Sequence, residues 1–343
     1  MTFPSPAPSP AAAETAEGAA GPAGPARYAP AVVGRSPGRL MWRRFRRDRT
    51  GVVSALVVLA FFLIALLAPV IAKIYGKDPY TTYGQNRPGL LNEFGYPIAP
   101  NGGMSGEFWF GLEPGLGRDV FMQLVYGIRT SLSIAVVVTL VTVVLGVVLG
   151  ITAGYIGGKT DYVIGRVIDT LLAFPQQLFL IVFLPVVEAA IVLPEEETPV
   201  WLRFVSICVV LTVLGWAALA RLLRSQVLSL RTREFVEAAR VTGASPARII
   251  FKELLPNLWT PIIIQGTLLL PLFVGAEAGL GFLGVGMTEP TPDWGRMFQV
   301  GVNVYHSDVT YLIFPGVSMV IFVIAFNLFG DSIRDAFDPK TKR

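Results

Sequence analysis

Residues able to do covalent or metal chemistry are sparse in this chain. There is one histidine, His306, and one cysteine, Cys208. A Cys/His metal centre or a disulfide framework needs several such residues, so both are excluded. His306 reads as a wet loop imidazole and Cys208 as a lipid- or core-facing thiol. Gly157-Gly158-Lys159-Thr160 ends in Lys-Thr, but Ala153 stands where the phosphate-cradling pattern G-x-x-x-x-G-K-Ser/Thr needs its first glycine, so the full nucleotide loop is absent. Four ionisable residues stand in or beside apolar runs. Asp161, Arg166 and Asp169 flank one such run, and Arg166 and Asp169 are three apart, a spacing that lets them pair on one helix face. Glu277 lies deeper, inside PLFVGAEAGLGFLG (271–284), where a charge is a functional candidate. It either faces an interface with another subunit and is buried and partnered there, the favoured reading, or lines a solute path. A membrane enzyme would need clustered His, Cys or carboxylates. A proton-driven secondary transporter would need ionisable groups on several spans and an internal repeat. Only Glu277 meets that requirement, and no repeat is evident.

One polar stretch has stronger punctuation. Residues 233–257 read REFVEAARVTGASPARIIFKELLPN. Glu234–Thr242 is a good helix former, with Glu237, Ala238 and Ala239 at its middle. Gly243 follows where a left-handed residue ends a helix. Ser245 is placed to cap a second helix and Pro246 suits its first position. Arg248 stands where a capping box needs Glu or Gln, so no box forms. Ile249 begins the apolar part of that second helix, which runs to Leu255, and Pro256 marks the entry to the next apolar run. A folded helix–glycine–helix joined to a membrane segment is suited to receive a push from a soluble partner. The alternative is an amphipathic helix resting on anionic lipid, since seven basic residues lie nearby.

The elements that position this hairpin follow from composition. The chain of 343 residues is 53% hydrophobic and only 15% charged, against about 25% charged for a soluble domain. The predicted class is all-α, a polytopic membrane protein with six transmembrane helices and a helical cytoplasmic hairpin. The expected spans are 52–72, 131–154, 162–187, 204–223, 258–283 and 309–329. The expected organisation is a disordered Ala/Pro/Gly-rich tail (1–38), a basic flank with the first span (39–72), and an external segment (73–130). A five-helix core (131–335) containing the loop 224–257 follows, then a second tail (336–343). The paired arginines before the first span also resemble an export signal. The apolar run is too long for a signal h-region of about 7–15 residues, so a retained span is preferred. With both termini inside the cell, the inner segments and their edges hold 21 Lys/Arg and the outer ones 7, as the positive-inside tendency requires. The basic residues thus report topology; no nucleic-acid partner is implied.

Three outer segments differ in character. Phe121, Leu124, Val125 and Ile128 have helical spacing, predicting either an interfacial helix before the second span or an extension of that span. Glu195, Glu196 and Glu197 read as a solvated acidic cap. GVGMTEPTPDWGRMFQVG (284–301) places Trp294 among prolines and glycines. It would fold back into a pore mouth, face a permease interface, or anchor at the membrane surface. Pro175, Pro185, Pro261, Pro271 and Pro315 interrupt spans and predict kinks.

The order Glu237-Ala238-Ala239, Gly243, Ile249-Ile250 and Leu255-Pro256 resembles the EAA loop of inner-membrane permeases from ABC importers. Gly117-Arg118-Asp119-Val120-Phe121, Ala153-Gly154-Tyr155, Leu172-Ala173-Phe174-Pro175, Pro290-Thr291-Pro292 with Trp294-Gly295, and Phe326-Asn327-Leu328 resemble the dipeptide/oligopeptide/nickel class, C-type subunit, over about residues 40–340. Two stretches depart from the class: Phe110-Gly111-Leu112-Glu113-Pro114 and Ala278-Gly279-Leu280-Gly281. The resemblance implies a bacterial cell-membrane permease that pairs with a homologous permease. It further implies two cytoplasmic ATPases carrying ATP and Mg, an external binding protein delivering solute, and no cofactor on this chain. Residues 246–255 would be the coupling helix, seated in an ATPase cleft, with Glu237, Ala238, Ala239, Gly243, Ser245, Pro246, Arg248 and Ile249 forming the loop. Peptides are the expected solute, with nickel or another small solute as alternatives.

Overall fold

The computed structural model describes residues 37–193, 196 and 198–337. The proposed tails, apart from the first tail's last two residues and the second tail's first two, and the glutamates 195 and 197 of the acidic cap, lie outside the described residues. Helices account for nearly all regular structure, and no strand occurs among the described residues beyond two isolated bridges. A basic helix α1 (Pro37–Arg47) leads into α2 (Arg49–Tyr75). Asp48 caps α2, its side chain accepting from Thr50 N at 3.1 Å, and Gly76 ends it at φ 74°. Two single turns follow, α3 (Tyr83–Asn86) and α4 (Pro100–Gly103), in the long loop before α5 (Val120–Ile156). Then come α6 (Gly158–Ala173), α7 (Gln176–Ala189) and α8 (Val200–Leu230). The hairpin supplies α9 (Glu234–Val241), α10 (Pro246–Arg248) and a π-helical turn (Ile249–Leu254) that runs straight into α11 (Leu255–Phe282). Finally α12 (Trp294–Val304) and α13 (Thr310–Phe337) close the bundle.

Five of these helical segments are long and apolar enough to cross a membrane, and α6 with α7 makes a sixth only as a bent pair. The expected third span (162–187) is therefore corrected. It is two helices meeting at 97°. Phe174, the residue before Pro175, takes φ −78° and ψ 136°, the extended conformation that a following proline imposes. The other four span prolines stay inside helices. The reading of residues 117–132 is also resolved. Helix α5 is continuous from Asp119, whose side chain accepts from Met122 N at 2.8 Å, so this is the extension and not a separate interfacial helix. Its Leu124, Val125 and Ile128 are buried in the bundle.

Helices α5 and α8 form the spine. Three glycines at four-residue spacing, Gly146, Gly150 and Gly154, line the contact face of α5. A Cβ on them would meet Leu219 at 2.9 Å, the Ala220 carbonyl oxygen at 2.7 Å and Val227 at 2.7 Å. Lipid tails are as apolar as leucine, so helices in a bilayer gain little from hiding apolar surface and associate through close van der Waals contact. Small residues at the seam are what permit that contact. Salt bridges then tie α6 to α8. Arg224 pairs with Asp161, its Nη2 donating at 2.8 Å, and Arg221 Nη2 donates to Asp169 at 2.6 Å. The anticipated Arg166–Asp169 pair does not form; Arg166 lies over the Tyr162 ring instead. The reason is reach: α8 brings guanidinium groups against both aspartates. A second core joins α2, α12 and α13, where Phe61, Trp294 and Phe322 pack with centroids 5.3–6.3 Å apart.

Gly150→Ala and Gly165→Ala add the same methyl group in two settings. At Gly150 it strikes α8 backbone, whereas at Gly165 nothing lies within 4 Å. Gly150→Ala is expected to destabilise the purified protein by about 1–3 kcal/mol, read as a lowered midpoint in a thermal melt. Gly165→Ala should leave the melt unchanged or raise it slightly.

Candidate functional site

The hairpin is built by local signals that agree with one another. Helix α9 ends in a Schellman arrangement: Ala244 N donates to Ala239 O and Gly243 N to Arg240 O, both at 3.0 Å, with Gly243 at φ 79°. That pairing satisfies carbonyls left open at a helix end. The Thr242 hydroxyl adds bonds to Ala238 O at 3.1 Å and Ala239 O at 3.0 Å. Ser245 caps the second helix, its Oγ accepting from Arg248 N at 3.4 Å, and Pro246 occupies the first turn. The π-helical turn ends where α11 begins at Leu255, with Pro256 in the first turn of α11. A proline ring crowds the carbonyl four residues before it, here that of Lys252, and the wider turn over 249–254 relieves the crowding.

Each face of the hairpin has a distinct fate. Val236, Ile249 and Leu254 are buried against Leu219, Leu223 and Val227 of α8, Ile151 of α5, and Leu258 and Ile262 of α11. Ala239 is half-buried at the edge of this cluster, and Arg240 lies over the Tyr155 ring at 5.6 Å. The opposite face is open. Glu237, Ala238, Gly243, Ser245, Pro246 and Arg248 are exposed, together with two large apolar side chains, Val241 at 88% and Phe251 at 67%. Of the residues singled out in the loop, the structure thus places all but Ile249 and Ala239 on the open surface. Phe251 went unremarked in the sequence because an apolar residue beside a span reads as part of the span.

Glu277 and Trp294 fall elsewhere. Trp294 is fully buried inside this chain, its indole N–H donating to Ser318 Oγ at 2.9 Å and its backbone N–H to Ser131 Oγ at 3.1 Å. In this structure the side chain anchors the core. Glu277 is equally enclosed within this chain. The partnered reading is met only in part. Ser131 lies beside the carboxylate, yet neither oxygen closes a hydrogen bond. The nearest acidic group, Asp293, caps α12 through Arg296 N at 2.7 Å and also accepts from Met287 N at 3.2 Å. Burial pushes the Asp293 carboxyl up to about 6, against the pull of those bonds.

A charged network that spacing could not reveal sits at the far end of α5 and α11 from the hairpin. Arg118 Nε and Nη2 donate to Glu113 at 2.5 and 2.8 Å, and Arg118 Nη1 donates to Glu289 at 2.6 Å across 171 positions of chain. Arg296 also pairs with Glu289, and Gln123 Nε2 donates to Glu113 at 2.8 Å. The stretches 110–114, 117–121 and 284–301 each drew notice in the sequence, but nothing in their spacing joined Glu113, Arg118, Glu289 and Arg296 into one network.

With this geometry in place, comparisons with known proteins give a consistent result. Residues 146–343 match the family described as binding-protein-dependent transport system inner membrane component. Residues 36–93 match the N-terminal transmembrane domain of oligopeptide transport permease C. The chain is 33% identical over 307 residues to the dipeptide transport system permease protein DppC of Alkalihalophilus pseudofirmus, covering 90% of this chain and 91% of that one. It is 34% identical over 309 residues to the oligopeptide transport system permease protein OppC of Escherichia coli K12, covering 89% and 93%. It is 33% identical over 312 residues to the glutathione transport system permease protein GsiD of Escherichia coli O6, covering 90% and 92%. In fold it is similar to a chain of the MetNI methionine ABC transporter in an inward-facing conformation, with a TM-score of 0.53 at 21% identity, covering 68% of this chain and all of that one. The chain belongs to the family of binding-protein-dependent transport inner-membrane components, as a multi-pass permease subunit of an ABC importer.

Proposed function

We propose that this permease imports peptides handed over by an external binding protein, and that its hairpin is the seat of a cytoplasmic ATPase. In this reading the chain pairs with a homologous permease, each contacts one ATPase, and ATP with Mg is bound on those partners. Closure of the ATPases pushes the hairpins, and the paired bundles turn between inward- and outward-open forms. Both termini and the hairpin face the cytoplasm, in keeping with the Lys/Arg excess on that side.

The observation that carries the reading is the split character of the hairpin. One face is fused to the ends of α5, α8 and α11, and the other presents exposed apolar side chains. The open face also carries Glu234 and Glu237. A helix resting on anionic lipid gains from a basic polar face, and acids there oppose it. Exposed Phe251 and Val241 flanked by charges of both signs fit a protein cleft better. Support for peptides comes from the relatives: those compared are dipeptide, oligopeptide and glutathione permeases, similar over about nine-tenths of this chain.

Phe251→Asp and Val241→Asp touch no core and should leave the melting midpoint of the isolated chain within about 0.5 kcal/mol of wild type. Each is expected to lose the ATPase subunit on co-purification from membranes, which checks the seat directly. Retention of the ATPase at wild-type yield would defeat this reading. Gly243→Val meets no neighbour but forces a β-branched residue to φ 79°, at about 1–2 kcal/mol. Its expected phenotype is bound ATPase whose hydrolysis no longer drives peptide uptake, measured by comparing ATP turnover with uptake in the same vesicles.

A further inference from the structure

Two arginines far apart in the chain aim at one carboxylate. Arg118 is 2% exposed and Arg296 is 8% exposed. Glu113, itself buried, takes one edge of the Arg118 guanidinium. The other edge forks onto Glu289, with Nη1 donating to one oxygen at 2.6 Å and Nη2 to the other at 3.1 Å. Arg296 Nη2 pairs with that second oxygen, while its Nη1 reaches Thr291 O at 3.4 Å. Glu113 is fully committed, since Gln123 and the Tyr311 hydroxyl also bond to it.

The two glutamates are not equivalent. Glu113 is walled in with the arginines. Glu289 arrives from outside: its side chain is 55% exposed, and its neighbours Thr288 and Pro290 are exposed too. Glu113 balances one guanidinium charge and Glu289 the other. Without Glu289 the site keeps a net positive charge, with N–H groups already pointed at a single spot. A planar fork plus a second guanidinium matches a carboxylate in shape and charge. Both arginines are almost wholly covered with Glu289 in place, so the space that Glu289 fills is the size of one carboxylate group.

We infer that Arg118 and Arg296 form a receiving site for a solute carboxylate on the side of the bundle away from the hairpin, closed in this structure by Glu289 as an internal stand-in. The incoming group takes the place of Glu289, and the exposed loop tip swings aside. The site recognises the carboxylate alone. It therefore stands independently of the peptide reading, although a peptide C-terminus is a natural occupant.

The test uses the assembled permease–ATPase complex in lipid nanodiscs without binding protein, and titrates acetate, Ala-Ala and Ala-Ala amide by calorimetry. Glu289→Gln keeps a hydrogen-bond acceptor but removes the competing charge. It is expected to bind acetate and Ala-Ala at least tenfold more tightly than wild type, with the amide unchanged and the gain abolished by adding Arg296→Gln. If Glu289→Gln does not assemble, Glu289→Asp, whose shorter arm falls short of the fork, should show the same selectivity with a smaller gain of about threefold. Tightening for acetate but not for Ala-Ala upholds the site and counts against peptides as its occupant. Equal affinities in variant and wild type, or an equal gain for the amide, would overturn the proposal. So would tighter capture of added binding protein with acetate unchanged, because the recess would then serve an acidic side chain of that protein.

Discussion

Between Gly146 and Gly154 the backbone of α5 lies directly against α8, and the hairpin is seated at the end of that same contact. The absence of side chains on one stripe of α5 lets Leu219, Leu223 and Val227 reach across. All three share one apolar core with Val236, Ile249 and Leu254 of the hairpin. In lipid, where no general hydrophobic force drives helices together, this close fit is the main source of cohesion. It makes the hairpin a continuation of the bundle. A force on Phe251 or Arg248 meets a packed interior that resists compression, so the spine moves with the hairpin.

Helix α11 extends that connection to the opposite side. It starts at the π-helical turn, passes two internal prolines that it absorbs without breaking, and carries the buried Glu277 in its last two turns. In its last turn, Gly281 approaches Gly295 so closely that a Cβ would lie 2.7 Å from backbone. This brings α12, Trp294 and the Arg296–Glu289 pair against the top of α11. One element thus links the hairpin at its first residues to the charged recess at its last. Asp293 stands at the junction, holding the first turn of α12 by its cap and holding Met287 in the preceding loop.

Much of this was legible in the sequence where the cause is local. The hairpin is specified within thirteen or so residues by Gly243, Ser245 and Pro246, each acting on its own backbone. The spans follow from apolar runs. What escaped depends on partners distant in sequence. Pro175 looks like Pro185, Pro261, Pro271 and Pro315, yet only Pro175 sits at a break, with α6 held to α8 by Asp161 and Asp169 and α7 held to α8 separately by the Glu188–Arg203 pair. The four-residue glycine spacing on α5 was visible but resembles the glycines common in any span. Trp294 suggested a mouth or interface because aromatic residues gather there. Its burial depends on Phe61 and Phe322, some 230 residues before it and 28 after it. The Arg118 recess needs Glu289, 171 positions away, which no spacing rule anticipates.

The central claim is that hairpin and spine form one rigid body. The most direct measurement is a spin-label distance between Arg248→Cys on the hairpin and Gln226→Cys on α8, both exposed positions. It would be recorded in the assembled transporter without nucleotide and with ATP trapped. The native Cys208 is buried and stays unlabelled. A single narrow distance, the same in both states, is the expected result. A distance that broadens or shifts when nucleotide binds would contradict it, because the hairpin would then be moving on the bundle and not with it.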